Sequence, residues 1–193
     1  MTLLIRDAVR SRFSAARDAH PGLLLDRGYA EQKDDDETAK TGHLNRIAGI
    51  QASEIYIRAY GRWQSAFIQD DRFACFTMPL ASRLLIGLAG SGLLETGCAL
   101  SRTYGIPYIP GSSIKGVVRA QAEASGFGKQ HPDVLGELFG TANDEPDSDG
   151  KDTSLSGLIR FHDAWWVPGS ADTPLVREIV TNHHPDYYQS EGA

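Results

Sequence analysis

The chain has 193 residues, 41% hydrophobic and 23% charged, with 19 basic against 25 acidic side chains and a net charge of −6. That is the balance of a globular chain able to bury a core, as one large domain or two small ones, and its negative charge argues against general affinity for nucleic acid. Two cysteines, Cys75 and Cys98, exclude a disulfide framework or a Cys-rich metal site, and the longest apolar stretch, Leu84 to Leu94, is too short and glycine-broken to cross a membrane.

The N-terminal segment lacks the ordered charged, apolar and small-residue regions of a signal peptide, which points to the cytoplasm. Residues 3–19 instead have amphipathic spacing, with Ile5, Val9, Phe13 and Ala16 on one side and Arg6, Arg10 and Arg17 beside them. His20-Pro21-Gly22 is expected to stop that helix, and the polar run from Glu31 to Thr41 to form a loop. A longer helix is predicted from about Leu44 to Ile68, its apolar positions including Ile47, Ile50, Ile57, Tyr60, Trp63 and Phe67. Residues 1–75 thus form a helical region, expected to pack on a core spanning 76–193.

The texture then changes. Ser82–Ala89 has the composition of a buried strand, a looped region leads to a helix over about 112–125, and a short turn surrounds Leu135–Gly140. After an acidic loop over Asn143–Asp152, Ser156–Pro168 alternates as a strand does, and Arg177–His184 is a plausible partner strand. Strand, helix, strand, strand is the first half of a split β-α-β unit, so an α+β, ferredoxin-like core is expected. Its second helix and fourth strand are not recognisable, which leaves a sheet edge to be covered by further chain or by another molecule.

The most informative stretch is Gly105–Gly116, GIPYIPGSSIKG. Pro107 and Pro110 hold the approach extended, Gly111 is expected to make a turn with positive φ, and Ser112 or Ser113 to cap the helix that follows. Unpaired backbone N–H groups and the helix dipole make such an entrance a site for phosphate. Lys115 and Arg119, four residues apart, share a face of its first turns. The spacing is not that of a Walker loop, where Lys directly follows the second Gly, so an NTPase is disfavoured. Taken alone, the same pattern also describes an ordinary capped helix that binds nothing.

Charge supports a local site. Ala81–His131 holds five basic residues against two acidic ones, a net +3 that leaves −9 for the rest of the chain. Arg102 and Tyr104, just before the motif, suit a phosphate and a base, although Tyr104 also suits a core; Arg83 on the first strand must face solvent or a partner. Asp163 lacks the second carboxylate a metal site needs and is better placed to cap the following turn, with Trp165 and Trp166 as packing or interface residues. His183 and His184 would point to opposite faces of a strand and lack zinc spacing, so loop order or RNA contact suits them better than catalysis. No metal or cofactor motif is recognised.

Several motifs together resemble a family. Gly87–Gly92 (GLAGSG), Glu95, Tyr104–Arg119 (YGIPYIPGSSIKGVVR), Leu138–Gly140 (LFG) and Gly157–Pro168 (GLIRFHDAWWVP) resemble the RAMP superfamily of CRISPR-associated proteins. Leu23–Tyr29 (LLLDRGY), Ile55–Trp63 (IYIRAYGRW) and Thr181–Tyr188 (TNHHPDYY) resemble, more narrowly, the sixth-subunit family of type III-B (Cmr) effector complexes. The resemblance implies a ferredoxin-like, RRM-related RAMP fold with an N-terminal helical extension, lacking its C-terminal part in this chain. It further implies a noncatalytic structural subunit that caps the effector backbone near the 3′ part of the CRISPR RNA. Its partners would be that RNA and neighbouring RAMP subunits, including the repeated backbone subunit to which target cleavage is attributed.

The resemblance and the residue chemistry converge on Gly111, Ser112, Ser113, Lys115 and Arg119 as contacts to guide-RNA phosphates, with Arg102, Arg83 and His184 as further RNA-binding candidates. Two rivals remain open: a RAMP endoribonuclease using His183 or His184 as base, and a purely protein-binding adaptor. The first needs a glycine-rich RNA-clamping loop near the C-terminus, and no such loop is present in the sequence.

Overall fold

The computed structural model describes residues 2–3, 6, 8, 19–29, 31–32, 37–68, 70–87, 97–141 and 154–179. Strand β1 (Thr2–Leu3) pairs antiparallel with β2 (Glu31–Gln32), so Leu3 is not helical as expected; Ala8 is, and residues 9–18 of the expected first helix lie outside the described residues. His20-Pro21-Gly22 starts a helix. Helix α1 (Pro21–Arg27) has Pro21 in its first turn, where the missing N–H costs nothing, and His20 Nδ1 accepts the Leu23 N–H at 3.2 Å as an N-cap.

The expected loop over Glu31–Thr41 is in part β2 and the first turn of α2 (Glu37–Ala48). The expected Leu44–Ile68 helix is likewise two, α2 and α3 (Glu54–Ile68). Gly49 follows the last residue of α2, the Ile50 N–H closes back on the Ile47 carbonyl (3.2 Å), and the Ser53 hydroxyl accepts the Tyr56 N–H (3.3 Å) to start α3. Apolar spacing continues across this break because Ile50 itself is buried, which is why one helix was expected. Leu24 and Leu25 of α1 pack with Ile47 and Ile50, and Cys98, Leu100 and Leu175 from the C-terminal half close over this core. The His43 ring donates from Nε2 to the Leu24 carbonyl (2.9 Å), tying α2 to α1.

Within the expected strand Ser82–Ala89, the described residues 82–87 form no ladder; the Ile86 carbonyl accepts the Ala99 N–H (2.7 Å), while Leu84 and Leu85 are about half exposed. The chain then folds back on itself around Gly105, whose φ of 69° suits glycine: Leu100 bridges Pro107 antiparallel, and the Ser101 N–H donates to the Ile106 carbonyl (2.9 Å). Strand β3 (Tyr108–Ile109) leads into α4 (Gly111–Ala124), followed by α5 (Phe127–Gln130), α6 (Pro132–Phe139), β4 (Gly140–Thr141), β5 (Leu155–Ser156) and β6 (Ala164–Trp165).

Helices α4, α5 and α6 pack on one another, with Leu135 and Phe139 buried and Phe139 stacked on Phe161 at 5.7 Å. Among the described residues, every sheet is a two-stranded antiparallel ladder: β1 with β2, β3 with β6, and β4 with β5. The expected strand over Ser156–Pro168 is therefore a ladder near its two ends. Between them the Leu158 and Ile159 N–H groups donate to the Glu137 and Leu138 carbonyls (2.8 and 3.2 Å), so the end of α6 takes the place of a neighbouring strand. Residues 177–179 form no ladder, and 180–184 lie outside the described residues. The architecture is α+β, as expected in class.

Candidate nucleic-acid interface

The entrance to α4 is set by both prolines and by one close approach. Pro110 is the N-cap residue with extended ψ of 137° and no side-chain cap from its neighbours. Gly111 does not take the positive φ expected of it; space, not conformation, requires glycine there. A methyl group on Gly111 would run into the Phe161 carbonyl oxygen and lie 2.9 Å from the carbonyl carbon of Phe161 and 3.0 Å from that of His162. Helix α4 thus begins pressed against the backbone that leads into β6.

That contact supplies the cap. The Gly111 N–H donates to Asp163 Oδ1 at 2.8 Å, so the anion at the helix entrance is a carboxylate from the same chain. Ser112 and Ser113, expected as caps, occupy the next two positions and are exposed. Asp163 does cap, as its chemistry suggested, but it caps α4 and not the turn that follows it. The Ser113 and Ile114 N–H groups both reach the Pro110 carbonyl (2.9 and 3.1 Å), which leaves the Ser112 N–H without an acceptor among the described residues.

The cations around this entrance have different commitments. Lys115 is half-buried and carries no ion pair among the described residues. Arg119 donates from Nε to Glu123 Oε1 (3.0 Å) and from a terminal nitrogen to the Gly140 carbonyl (3.3 Å), pinning α4 to the start of β4. Arg119 is thus engaged with Glu123 and with the start of β4, whereas Lys115 has no such engagement among the described residues. Arg83 pairs with Glu178, both exposed, and links residues 82–87 to 177–179. Arg102 is exposed and unpaired among the described residues, whereas His183 and His184 lie outside them.

Beside the entrance lies an aromatic cluster that the sequence only partly disclosed. Trp165 is sandwiched between Tyr56 (ring centroids 5.8 Å, 19° between planes) and Trp63 (5.4 Å, 17°), and Tyr104 meets Tyr56 edge-on at 5.6 Å. The Tyr56 hydroxyl donates to the Trp166 carbonyl (2.6 Å). Burial raises the Tyr56 phenol well above its ordinary pKa; the neighbouring Tyr60 adds to this and the Trp166 bond opposes it. Ile57, expected on the apolar face of α3, is half exposed, and Tyr56 takes that role. The spacing Tyr56, Tyr60, Trp63, Phe67 carried that signal. A cleft of about 290 Å³ opens against this cluster, with Arg102, Tyr104, Tyr108, Asp163 and Trp165 in its walls.

Short antiparallel ladders and small helices, meeting at a helix entrance capped from across the fold, define an α+β chain that presents a polar entrance beside an aromatic cleft. The chain belongs to the RAMP superfamily, whose family model matches residues 77–191, more than half of its length and all of this site except Tyr56 and Trp63. A stretch of 38 residues is 58% identical to the CRISPR system Cmr subunit Cmr6 of Pyrococcus furiosus, covering 20% of this chain and 11% of that protein. No solved structure gives a significant match. Among the described residues no helix is long and apolar enough to cross a membrane.

Proposed function

We propose that this chain is a noncatalytic, RNA-holding structural subunit of a type III-B CRISPR effector, working in the cytoplasm alongside other RAMP subunits and holding the CRISPR RNA near its 3′ part. The similarity to Cmr6 supports the assembly. One observation carries the RNA contact: within the family-matched region, the start of α4 offers the Ser112 N–H, the exposed Ser112 and Ser113 hydroxyls and a half-buried Lys115 with no ion pair among the described residues. Such groups read phosphate, as a subunit that accepts any guide sequence requires. Asp163 serves as a cap, which supports a structural and not a metal-binding role for that carboxylate.

In this reading residues 1–75 brace a ferredoxin-like core spanning 76–193, to which the β3/β6 and β4/β5 ladders belong. Lys115 is the principal phosphate contact and Arg102 the second, while Arg119 acts through the scaffold, holding α4 to β4. Salt dependence tests this with the full chain and single-stranded CRISPR RNA. Lys115→Ala is expected to reduce the slope of log affinity against log salt by about 0.7, one phosphate's worth on a single strand. Arg119→Ala should leave that slope unchanged and lower stability. Equal slopes for the wild type and Lys115→Ala would remove the site, and RNA cleavage by the chain alone would overturn the noncatalytic assignment.

A further inference from the structure

The cleft beside the helix entrance has a chemistry that phosphate contact does not use. Its volume, about 290 Å³, lies at the lower end of ligand-sized pockets, with room for one nucleoside-sized group and none for a length of folded chain. Tyr104, Tyr108 and Trp165 are half-buried and line it, so each is partly accessible. Trp165 is held between Tyr56 and Trp63, and Tyr104 against Tyr56, which makes the aromatic wall rigid before any ligand arrives.

Two polar groups complete the cleft. Arg102 lines it and is exposed, with no ion pair among the described residues. Asp163 uses one carboxylate oxygen on the Gly111 N–H and has the other unengaged among the described residues. Because Asp163 belongs both to the cleft and to the α4 entrance, the aromatic pocket and the Ser112–Lys115 phosphate face are contiguous.

We propose that this cleft captures one unstacked base of a single-stranded RNA whose backbone runs over the α4 entrance. This inference rests on the RNA-holding function proposed above. Tyr104 and Tyr108 offer a stacking surface to the base, Arg102 meets the adjoining phosphate, and the free Asp163 oxygen accepts an N–H from the base edge. Each of the four RNA bases carries such a donor, so capture tolerates sequence, and stacking on aromatic rings is equally tolerant. A base with its phosphate engages both the Asp163 oxygen and Arg102, which an apolar ligand would leave to water.

The test compares the full chain's affinity for three probes: an oligoadenylate of about ten nucleotides, an abasic ribose-phosphate strand of equal length, and free AMP. Oligoadenylate should bind at least about five-fold more tightly than the abasic strand, the lower bound of what stacking one base contributes. Tyr104→Leu should reduce that ratio, whereas the exposed change Arg102→Ala should weaken both strands alike and leave the ratio unchanged, with circular dichroism confirming that both variants remain folded. Equal binding of the two strands overturns base capture and leaves the RNA-holding function standing. Failure of both strands to bind overturns that function itself. AMP binding as tightly as the oligonucleotide would assign the cleft to a free nucleotide and overturn capture from a strand. Should Tyr104→Leu fail to fold, an unchanged ratio in Tyr108→Leu overturns the proposal on its own.

Discussion

Two glycine-to-alanine changes on the same helix are expected to move stability in opposite directions. At Gly111 the added methyl meets three backbone atoms of one stretch: the Phe161 carbonyl oxygen, the Phe161 carbonyl carbon at 2.9 Å and the His162 carbonyl carbon at 3.0 Å. Backbone cannot swing away as a side chain can, so α4 must separate from the segment entering β6. Overpacking of this kind costs roughly 1–3 kcal/mol, and pulling the Gly111 N–H away from Asp163 loses a cap of about 1 kcal/mol. Against this stands the helix preference of alanine over glycine, at most about 1 kcal/mol. The net destabilisation is therefore about 1–3 kcal/mol. At Gly116 nothing lies within 4 Å of an added methyl, the position is exposed, and only the helix preference remains, a gain of up to about 1 kcal/mol. Urea unfolding followed by circular dichroism should place the two variants on either side of the wild type. With a slope of about 2 kcal/mol per molar urea, their midpoints separate by about 0.5–2 M. A Gly111→Ala midpoint at or above that of the wild type would refute the close approach between α4 and the residues before β6.

Tyr56→Phe removes the hydroxyl that satisfies the Trp166 carbonyl and should cost about 1–2 kcal/mol in a denaturant melt. The raised Tyr56 pKa also has a signed consequence. The unfolded phenol loses its proton near its ordinary value of 10.0 while the folded one retains it, so this group leaves stability unchanged below that pH and reduces it above. The alkaline decline should accordingly be shallower in Tyr56→Phe than in the wild type, and parallel pH profiles would count against a buried Tyr56. Asp163→Ala should cost about 1 kcal/mol through loss of the α4 cap, and Asp163→Asn should recover most of it, because an amide oxygen can still accept the Gly111 N–H. Equal losses in the two Asp163 variants would show that charge, and not the hydrogen bond, is what matters there.

The helical segments were legible in the sequence where their periodicity was long and uninterrupted. Helix α4 was expected within a residue or so of its actual ends, and α3 showed its aromatic stripe, though Ile57 was assigned to a face that belongs to Tyr56. The break at Gly49–Ser53 leaves no mark in the pattern because Ile50, inside the break, is itself buried and carries the apolar spacing across it. Strands were less legible for a physical reason: alternation reports which way side chains point, not what the backbone bonds to. Residues 158–159 alternate as a strand does, yet their N–H groups bond to the end of α6. The site was half legible. Composition and spacing drew attention to Gly111, Ser112, Ser113 and Lys115, but the cap on Gly111 comes from 52 residues further along, a partnership that no local pattern encodes.

That distant cap changes how strongly the entrance can hold a phosphate. The helix dipole and one N–H already face the Asp163 carboxylate, so a phosphate arriving at Gly111 meets a like charge, not a vacant positive pole. Arg119 is neutralised by Glu123, and Arg83 by Glu178. Of the candidate cations in the described residues, Lys115 and Arg102 have no ion pair and are left for the proposed RNA contact. Two phosphates neutralised on a single strand give a salt slope of about −1.4, so affinity should fall only about seven-fold between 50 and 200 mM salt. On a chain with a net charge of −6, so few contacts make a weak isolated binder. Weak contact would suit the proposed RNA-holding role beside neighbouring subunits, because tethering raises the effective concentration of the strand and would let one or two phosphates and a single stacked base contribute to a tight assembly. Mutating Lys115 should consequently weaken RNA binding by the isolated chain far more visibly than it weakens assembly of the whole complex.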